Sequence, residues 1–339
     1  MFELRPRPVR DVAPAANGYG ALHVAHEPCY RASVRWRTVI MSIAIYISFR
    51  KHRLNTPFHR HRRHLNMNYV GTKDKTKLYV KDWGIGQPVI LLHGWPLSSD
   101  SWDAQAMAIA NAGYRAIAYD RRGFGRSSQP WSGYDYDTLS DDLAAVIEHA
   151  DAENAIIVGF SMGGGEVARY MSRHAGKSVA KAALISSIVP FRLKTSDNPA
   201  GTEQEVFDKI ANSINEDRAA FFTSFFRTFF GVGTSGNTVS DELLENAKDI
   251  AMQGSLKATL ECLKSFSSTD FRGDLKHFKV PTLIIHGTQD ETVPIGASAR
   301  LAASGIAQST IIEYENAPHG LFVTDKEKLT RDILSFIRQ

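Results

Sequence analysis

Two hydrophobic patterns take turns along most of the chain. Residues 69–72 and 77–83 alternate apolar with polar side chains around Lys73-Asp74-Lys75, and they read as a hairpin. Pro88-Val89-Ile90-Leu91-Leu92 is apolar throughout, the pattern of a strand buried on both faces. Further strands are read at 114–120, 155–158, 179–187, 280–287 and 309–314. Between them lie helical stretches at 102–112, at 137–150 and from Gly164 onward, and 326–338 closes the chain as an amphipathic helix. Strands that alternate with helices give a mostly parallel central sheet with helices on both faces, an α/β fold. From 190 to about 269 the pattern is helical without strands, which reads as a helical cap inserted above the sheet.

The first 66 residues are different. They hold eleven Arg and one Lys against Glu3, Asp11 and Glu27, a balance of +9 within a net charge of +4 for all 339 residues. Residues 67–339 therefore carry −5. The apolar run 38–49 is too short for a spanning helix, which needs about 20 residues, and it starts too late for a signal peptide. A basic arm for nucleic acid or lipid is one reading of the segment. The reading preferred here is a disordered or non-native extension, with Met67 opening the domain that runs to Gln339. Neither a nucleic-acid partner nor a membrane is expected. Cys29 and Cys262 form no metal or disulfide framework, which suits a reducing compartment, and a cytoplasmic location is expected.

The chemistry centres on Gly159-Phe160-Ser161-Met162-Gly163, a G-x-S-x-G pattern between an apolar run and a helix. That context is what a nucleophilic serine on a sharp strand-to-helix turn requires. A serine hydroxyl needs a base, and the base needs an orienting group. On a sheet of this type the acid and then the histidine follow the serine along the chain. Asp290, in Gly287-Thr288-Gln289-Asp290, and His319, in Ala317-Pro318-His319-Gly320, each follow a strand and occur in that order. Asp290 also has the bland reading of a cap for the Val293 region, and His319 that of a surface-loop histidine. Asp120, Asp270, Asp274 and Glu291 are rival acids, and His93, His174 and His286 are rival bases.

An oxyanion needs two N–H donors. Met162 follows the serine, and Trp95 lies in the loop after 88–92; Pro96 has no N–H to offer. Phe221-Phe222, Phe225-Phe226 and Phe229-Phe230 recur every four residues and form one helical face. Such a stripe commonly packs a core. Phe225 and Phe229, with Phe160, are also candidate walls of an apolar substrate pocket. Gly123 and Gly125 lack the third glycine and lysine of a phosphate cradle, and no metal or cofactor motif is present.

From Met67 to Gln339 the chain resembles the bacterial α/β-hydrolase arylesterases, also called cofactor-free (non-haem) haloperoxidases. The resemblance is carried by Lys81-Asp82-Trp83-Gly84, His93-Gly94-Trp95-Pro96-Leu97, residues 119–127 and residues 159–170. It implies the α/β-hydrolase fold, a triad of Ser161, Asp290 and His319, and oxyanion donors at Trp95 and Met162. It implies no cofactor, a small ester or carboxylic acid as substrate, and hydrogen peroxide as an alternative to water. Pro96, after the oxyanion Trp, goes with peroxide use in that family. The resemblance also suggests a homo-oligomer and leaves residues 1–66 without a counterpart. Two alternatives stay open: a C–C bond hydrolase or hydroxynitrile lyase on the same triad, and a non-catalytic ligand-binding protein. A dehalogenase or epoxide hydrolase would need an aspartate where Ser161 stands.

Overall fold

The computed structural model describes residues 68–233 and 239–339, so the basic N-terminal segment lies outside the described residues. The hairpin is β1 (Tyr69–Gly71) and β2 (Lys77–Gly84), paired antiparallel. Asp74 shapes the turn by accepting the amide of Thr76 at 3.1 Å. The fully apolar run becomes β3 (Pro88–Leu92), buried at every position. A short 3-10 turn capped by Ser98 leads into α1 (Asp103–Asn111), followed by β4 (Arg115–Tyr119). Next come α2 (Tyr136–His149), β5 (Ala155–Phe160), α3 (Met162–Arg173) and β6 (Val179–Ile185).

Three helices then follow without a strand: α4 (Gln204–Phe229), α5 (Asp241–Gln253) and α6 (Leu256–Ser268). The longest of them, α4, is broken at Asp217, which leaves helical geometry with φ −149° and ψ 91°. The Asp217 carboxylate accepts the amide of Ala220 at 2.9 Å and so caps the second segment. The sheet resumes with β7 (Thr282–Gly287), α7 (Ala299–Gly305) and β8 (Ser309–Tyr314). A single turn, α8 (Leu321–Thr324), and α9 (Lys326–Arg338) close the chain.

The eight strands lie in the order β1-β2-β4-β3-β5-β6-β7-β8. The β2–β4 pairing is antiparallel, and β4 through β8 run parallel. The chain steps from β3 to β4 on one side, then crosses to β5 on the other. Their connections leave in opposite directions, which opens a crevice at the carboxyl ends of β3 and β5. Leu92 pairs with Gly159 there, which sets the loop after β3 beside the turn after β5. Cys262 is buried in the core, where burial pushes its thiol up to about 12. Among the described residues, no helix is long and apolar enough to cross a membrane.

Candidate active site

Ser161 sits between β5 and α3 with φ 52° and ψ −117°, a backbone region that side chains rarely occupy. The flanking glycines make this turn physically possible. A Cβ on Gly159 would lie 2.5 Å from the carbonyl oxygen of Gly163, and one on Gly163 would lie 2.6 Å from that of Leu92. The turn is pinned by the Ser161 amide, which donates to the carbonyl of Ile185 at 2.9 Å. The helix begins at Met162.

The loops after β7 and β8 bring two more side chains to this turn. His319 Nε2 lies 2.9 Å from Ser161 Oγ, and His319 Nδ1 lies 2.6 Å from Asp290 Oδ2. A carboxylate facing Nδ1 fixes the proton there and leaves Nε2 as an acceptor toward the serine hydroxyl. The two oxygens of Asp290 divide their work. Oδ1 accepts the amide of Val293 at 2.7 Å, while Oδ2 faces His319 and also lies 3.1 Å from His286 Nε2. Burial acts to raise the Asp290 pKa, but His319 and His286 outweigh it and hold the carboxyl below its usual range.

The rivals are engaged elsewhere. Asp120 accepts from the Ser99 amide and hydroxyl and from Arg126, holding the 121–128 loop. Asp270 pairs with Arg272, and Asp274 with Arg169 and Ser172. Glu291 is exposed. His93 is buried and accepts the Arg121 amide at Nε2, 2.9 Å away. Burial and the Arg121 charge lower its pKa to about 3, so it is neutral. His174 stacks on Tyr170 and meets Asp141. His286 Nε2 donates to the Val293 carbonyl at 2.7 Å, bracing the loop that carries Asp290.

Ser161, His319, Met162 and Trp95 line one side of a pocket with an empty volume of about 460 Å³. Met162 opens α3, so its N–H is one of the first-turn amides that find no acceptor within the helix. The Trp95 indole donates to the Thr259 carbonyl of α6 at 3.0 Å, which anchors the loop after β3 beneath the three-helix segment. The Trp95 ring also meets Phe221, Phe222, Phe225 and Phe266 edge-on or tilted.

The three expected pocket phenylalanines separate. Phe225 lines the pocket, whereas Phe160 and Phe229 pack against the His319 ring at centroid distances of 5.2 and 4.8 Å. Those two are not among the lining residues; they back the histidine. Ile188, Arg192, Phe207, Ile210, Phe266 and Thr292 line the pocket without having been singled out in the sequence. A signal did exist for one of them: Ile188 lies three residues after the end of β6, so it emerges at the same rim as Ser161.

Residues 87–326 match the alpha/beta hydrolase fold family. The chain is 43% identical to a bifunctional esterase/perhydrolase of Acinetobacter calcoaceticus, with 80% of this chain and 100% of the relative covered. It is likewise 43% identical to a non-heme chloroperoxidase of Streptomyces lividans, over the same shares of the two chains. The crystal structure of a bromoperoxidase from Bacillus anthracis superposes with a TM-score of 0.78 at 41% identity, covering 80% of this chain and 99% of that one. The chain thus belongs to the α/β-hydrolase fold family, in the group of the non-heme haloperoxidases and esterase/perhydrolases.

Proposed function

We propose that the protein is a serine hydrolase of small carboxylic esters that also accepts hydrogen peroxide in place of water. The observation that carries this reading is the hydrogen-bonded chain Ser161 Oγ, His319 Nε2, His319 Nδ1, Asp290 Oδ2 at the wall of a mostly apolar pocket. In the proposed reaction Ser161 Oγ attacks the ester carbonyl as its proton passes to His319 Nε2. The amides of Trp95 and Met162 receive the oxyanion. The imidazolium, held by Asp290, protonates the departing alcohol or phenol, which leaves an acyl-enzyme. Water activated by His319 then releases the acid. When hydrogen peroxide takes its place the product is a peracid, which oxidises halide to hypohalous acid in solution while itself reverting to the carboxylic acid.

The esterase/perhydrolase and chloroperoxidase names of the similar proteins support both halves of this reading. A cytoplasmic location, a homo-oligomer and residues 190–269 acting as a cap over the serine belong to the proposal. The first is supported by sparse cysteine use and the second by family resemblance. The third is supported by the contacts of Trp95 and His319 with α4.

The test is hydrolysis of a short aryl acetate by wild type and Ser161→Ala, with and without peroxide. Burst release of the phenol that disappears in Ser161→Ala, with peracid formed when peroxide is present, is the expected result. Equal inertness of two folded proteins would rule the reading out.

A further inference from the structure

Arg192 is an unusual wall for an ester pocket. It lines the same cavity as Ser161 and His319, yet it is only 6% exposed. One nitrogen of its guanidinium, Nη2, donates to the Thr292 carbonyl at 2.9 Å, while Nε is buried with no hydrogen-bond partner. Among the described residues no carboxylate stands within ion-pair distance of it. Asp290 acts on it from farther away, and its own oxygens serve Val293, His319 and His286.

Several other arginines of the fold pair with carboxylates. Two of them, Arg121 and Arg122, are just as buried and pair with Glu166 and Asp142. A buried charge is costly unless paired and hydrogen-bonded, and a buried guanidinium offers five donors in a fork that suits a carboxylate. Burial lowers the Arg192 pKa to about 10, so it stays charged at neutral pH. The remaining lining is largely apolar, with Ile188, Phe207, Ile210, Phe225 and Phe266, which gives a methylene chain a path across the cavity.

From the burial of Arg192, its unpartnered Nε and its place in the Ser161 pocket, we infer that the preferred substrates carry a carboxylate at the end remote from the scissile ester, as in the monoesters of dicarboxylic acids. The inference rests on the ester-hydrolase reading and names its substrate class. Arg192 takes the remote carboxylate as a charge-assisted pair, the methylenes lie along the phenylalanines, and the ester carbonyl is delivered to Ser161. No step of the acyl transfer changes. Arg192 is a specificity-determining residue and does not touch the reacting atoms.

The experiment compares kcat/KM for monomethyl esters of C4 to C8 dicarboxylic acids with methyl alkanoates of matching length, followed by proton release. Wild type, Arg192→Met and Arg192→Lys are assayed in parallel. A charge-assisted hydrogen bond corresponds to about a ten- to hundred-fold effect. The anionic-to-neutral ratio of kcat/KM should therefore fall by about that factor in Arg192→Met, through KM, and should largely recover in Arg192→Lys. A merely structural Arg192 would lower both substrate series together, leaving the ratio within about two-fold of wild type, and that result overturns the proposal.

Calorimetry with the monomethyl ester of adipate and with methyl hexanoate, which lacks the remote carboxylate, on Ser161→Ala reads the same contact without turnover or an Arg192 variant. Tighter binding of the adipate monoester supports the proposal, and equal binding overturns it. If Ser161-dependent hydrolysis is absent, the ester-hydrolase reading fails, while binding of the adipate monoester still decides the anion site.

Discussion

Replacing Asp290 with Asn probes the proposed triad with almost no change in shape. The outcome follows from what each carboxylate oxygen faces, with His286 Nε2 beside Oδ2 able to keep its hydrogen on the Val293 carbonyl. Oδ1 accepts the amide of Val293 at 2.7 Å, so that position must remain an oxygen in the variant. A nitrogen placed there would set two donors face to face inside the core, costing about 1–3 kcal/mol. The amide NH₂ is thereby driven to the Oδ2 position, 2.6 Å from His319 Nδ1. There it donates to Nδ1, the proton of the imidazole moves to Nε2, and Nε2 points a hydrogen at Ser161 in place of a lone pair. The histidine is then in the wrong tautomer to accept the serine proton. Loss of this kind in a serine triad is about 10⁴-fold in kcat, roughly 5.5 kcal/mol of transition-state stabilisation. Stopped-flow hydrolysis of an aryl acetate measures it. The expected signature is an acylation rate down by about four orders of magnitude in a protein whose circular dichroism spectrum is unchanged. A folded Asp290→Asn variant that keeps more than about a tenth of the wild-type rate would refute the tautomer argument and the role assigned to Asp290.

Gly159→Ala should disturb the serine without touching it. The added Cβ would meet backbone of Gly163 at 2.5 and 2.7 Å, which no rotamer change can relieve. The expected cost is about 1–3 kcal/mol in urea denaturation together with loss of esterase activity, and wild-type behaviour in both would contradict the close-packed elbow. His93 should make stability depend on pH. Burial and Arg121 depress its folded pKa to about 3, against about 6.5 unfolded, so between those values only the unfolded state binds the proton. Its contribution is present above about pH 6.5 and drains away at up to about 1.4 kcal/mol per unit as pH falls toward 3. His93→Gln should flatten that slope in denaturation curves taken across the window, and an unchanged slope would show that His93 is not its source. Pro96→Leu should lower the ratio of perhydrolysis to hydrolysis, measured as peracid against acid released from one ester. An unchanged ratio would remove Pro96 from the account of peroxide use.

The sheet was legible because its hairpin alternates and its central strands are rich in apolar residues; β3 and β8 have the bounds read from the sequence. Local propensity at the start of α3 speaks the other way, since Gly163-Gly164-Gly165 weighs against helix. The fold needs those glycines for approach: a Cβ at Gly164 would run into Ser187 Oγ, and one at Gly165 would stand 2.6 Å from the Tyr136 ring. Tertiary contact overrides local preference at that point. The break at Asp217 escaped notice because a single aspartate inside a helical pattern resembles any exposed polar position. Its capping of Ala220 shows only in the backbone. The phenylalanine stripe gave the spacing of α4 but not its rotation. Rotation is what puts Phe225 on the pocket and Phe229 behind His319. Arg192 was overlooked because it lies seven residues past β6, where no strand or helix period reports which way a side chain faces.

Asp290 shows why a bland and a functional reading of one residue need not compete. In the sequence it could be a cap for the Val293 region or the orienter of a histidine. A carboxylate has two oxygens, and the structure uses one for each purpose. The cap bond is what gives the other oxygen a fixed direction. The amide of Val293 holds Oδ1, and the plane of the carboxylate then aims Oδ2 at His319 Nδ1. The Val293 carbonyl in turn accepts from His286, whose Nε2 lies beside the same Oδ2. A short loop between Asp290 and Val293 thus fixes the acid from both sides, independently of any substrate. The geometry of the proposed base is therefore set before an ester enters, and that preorganisation lets a weak serine nucleophile be activated without a reorganisation cost at the moment of attack.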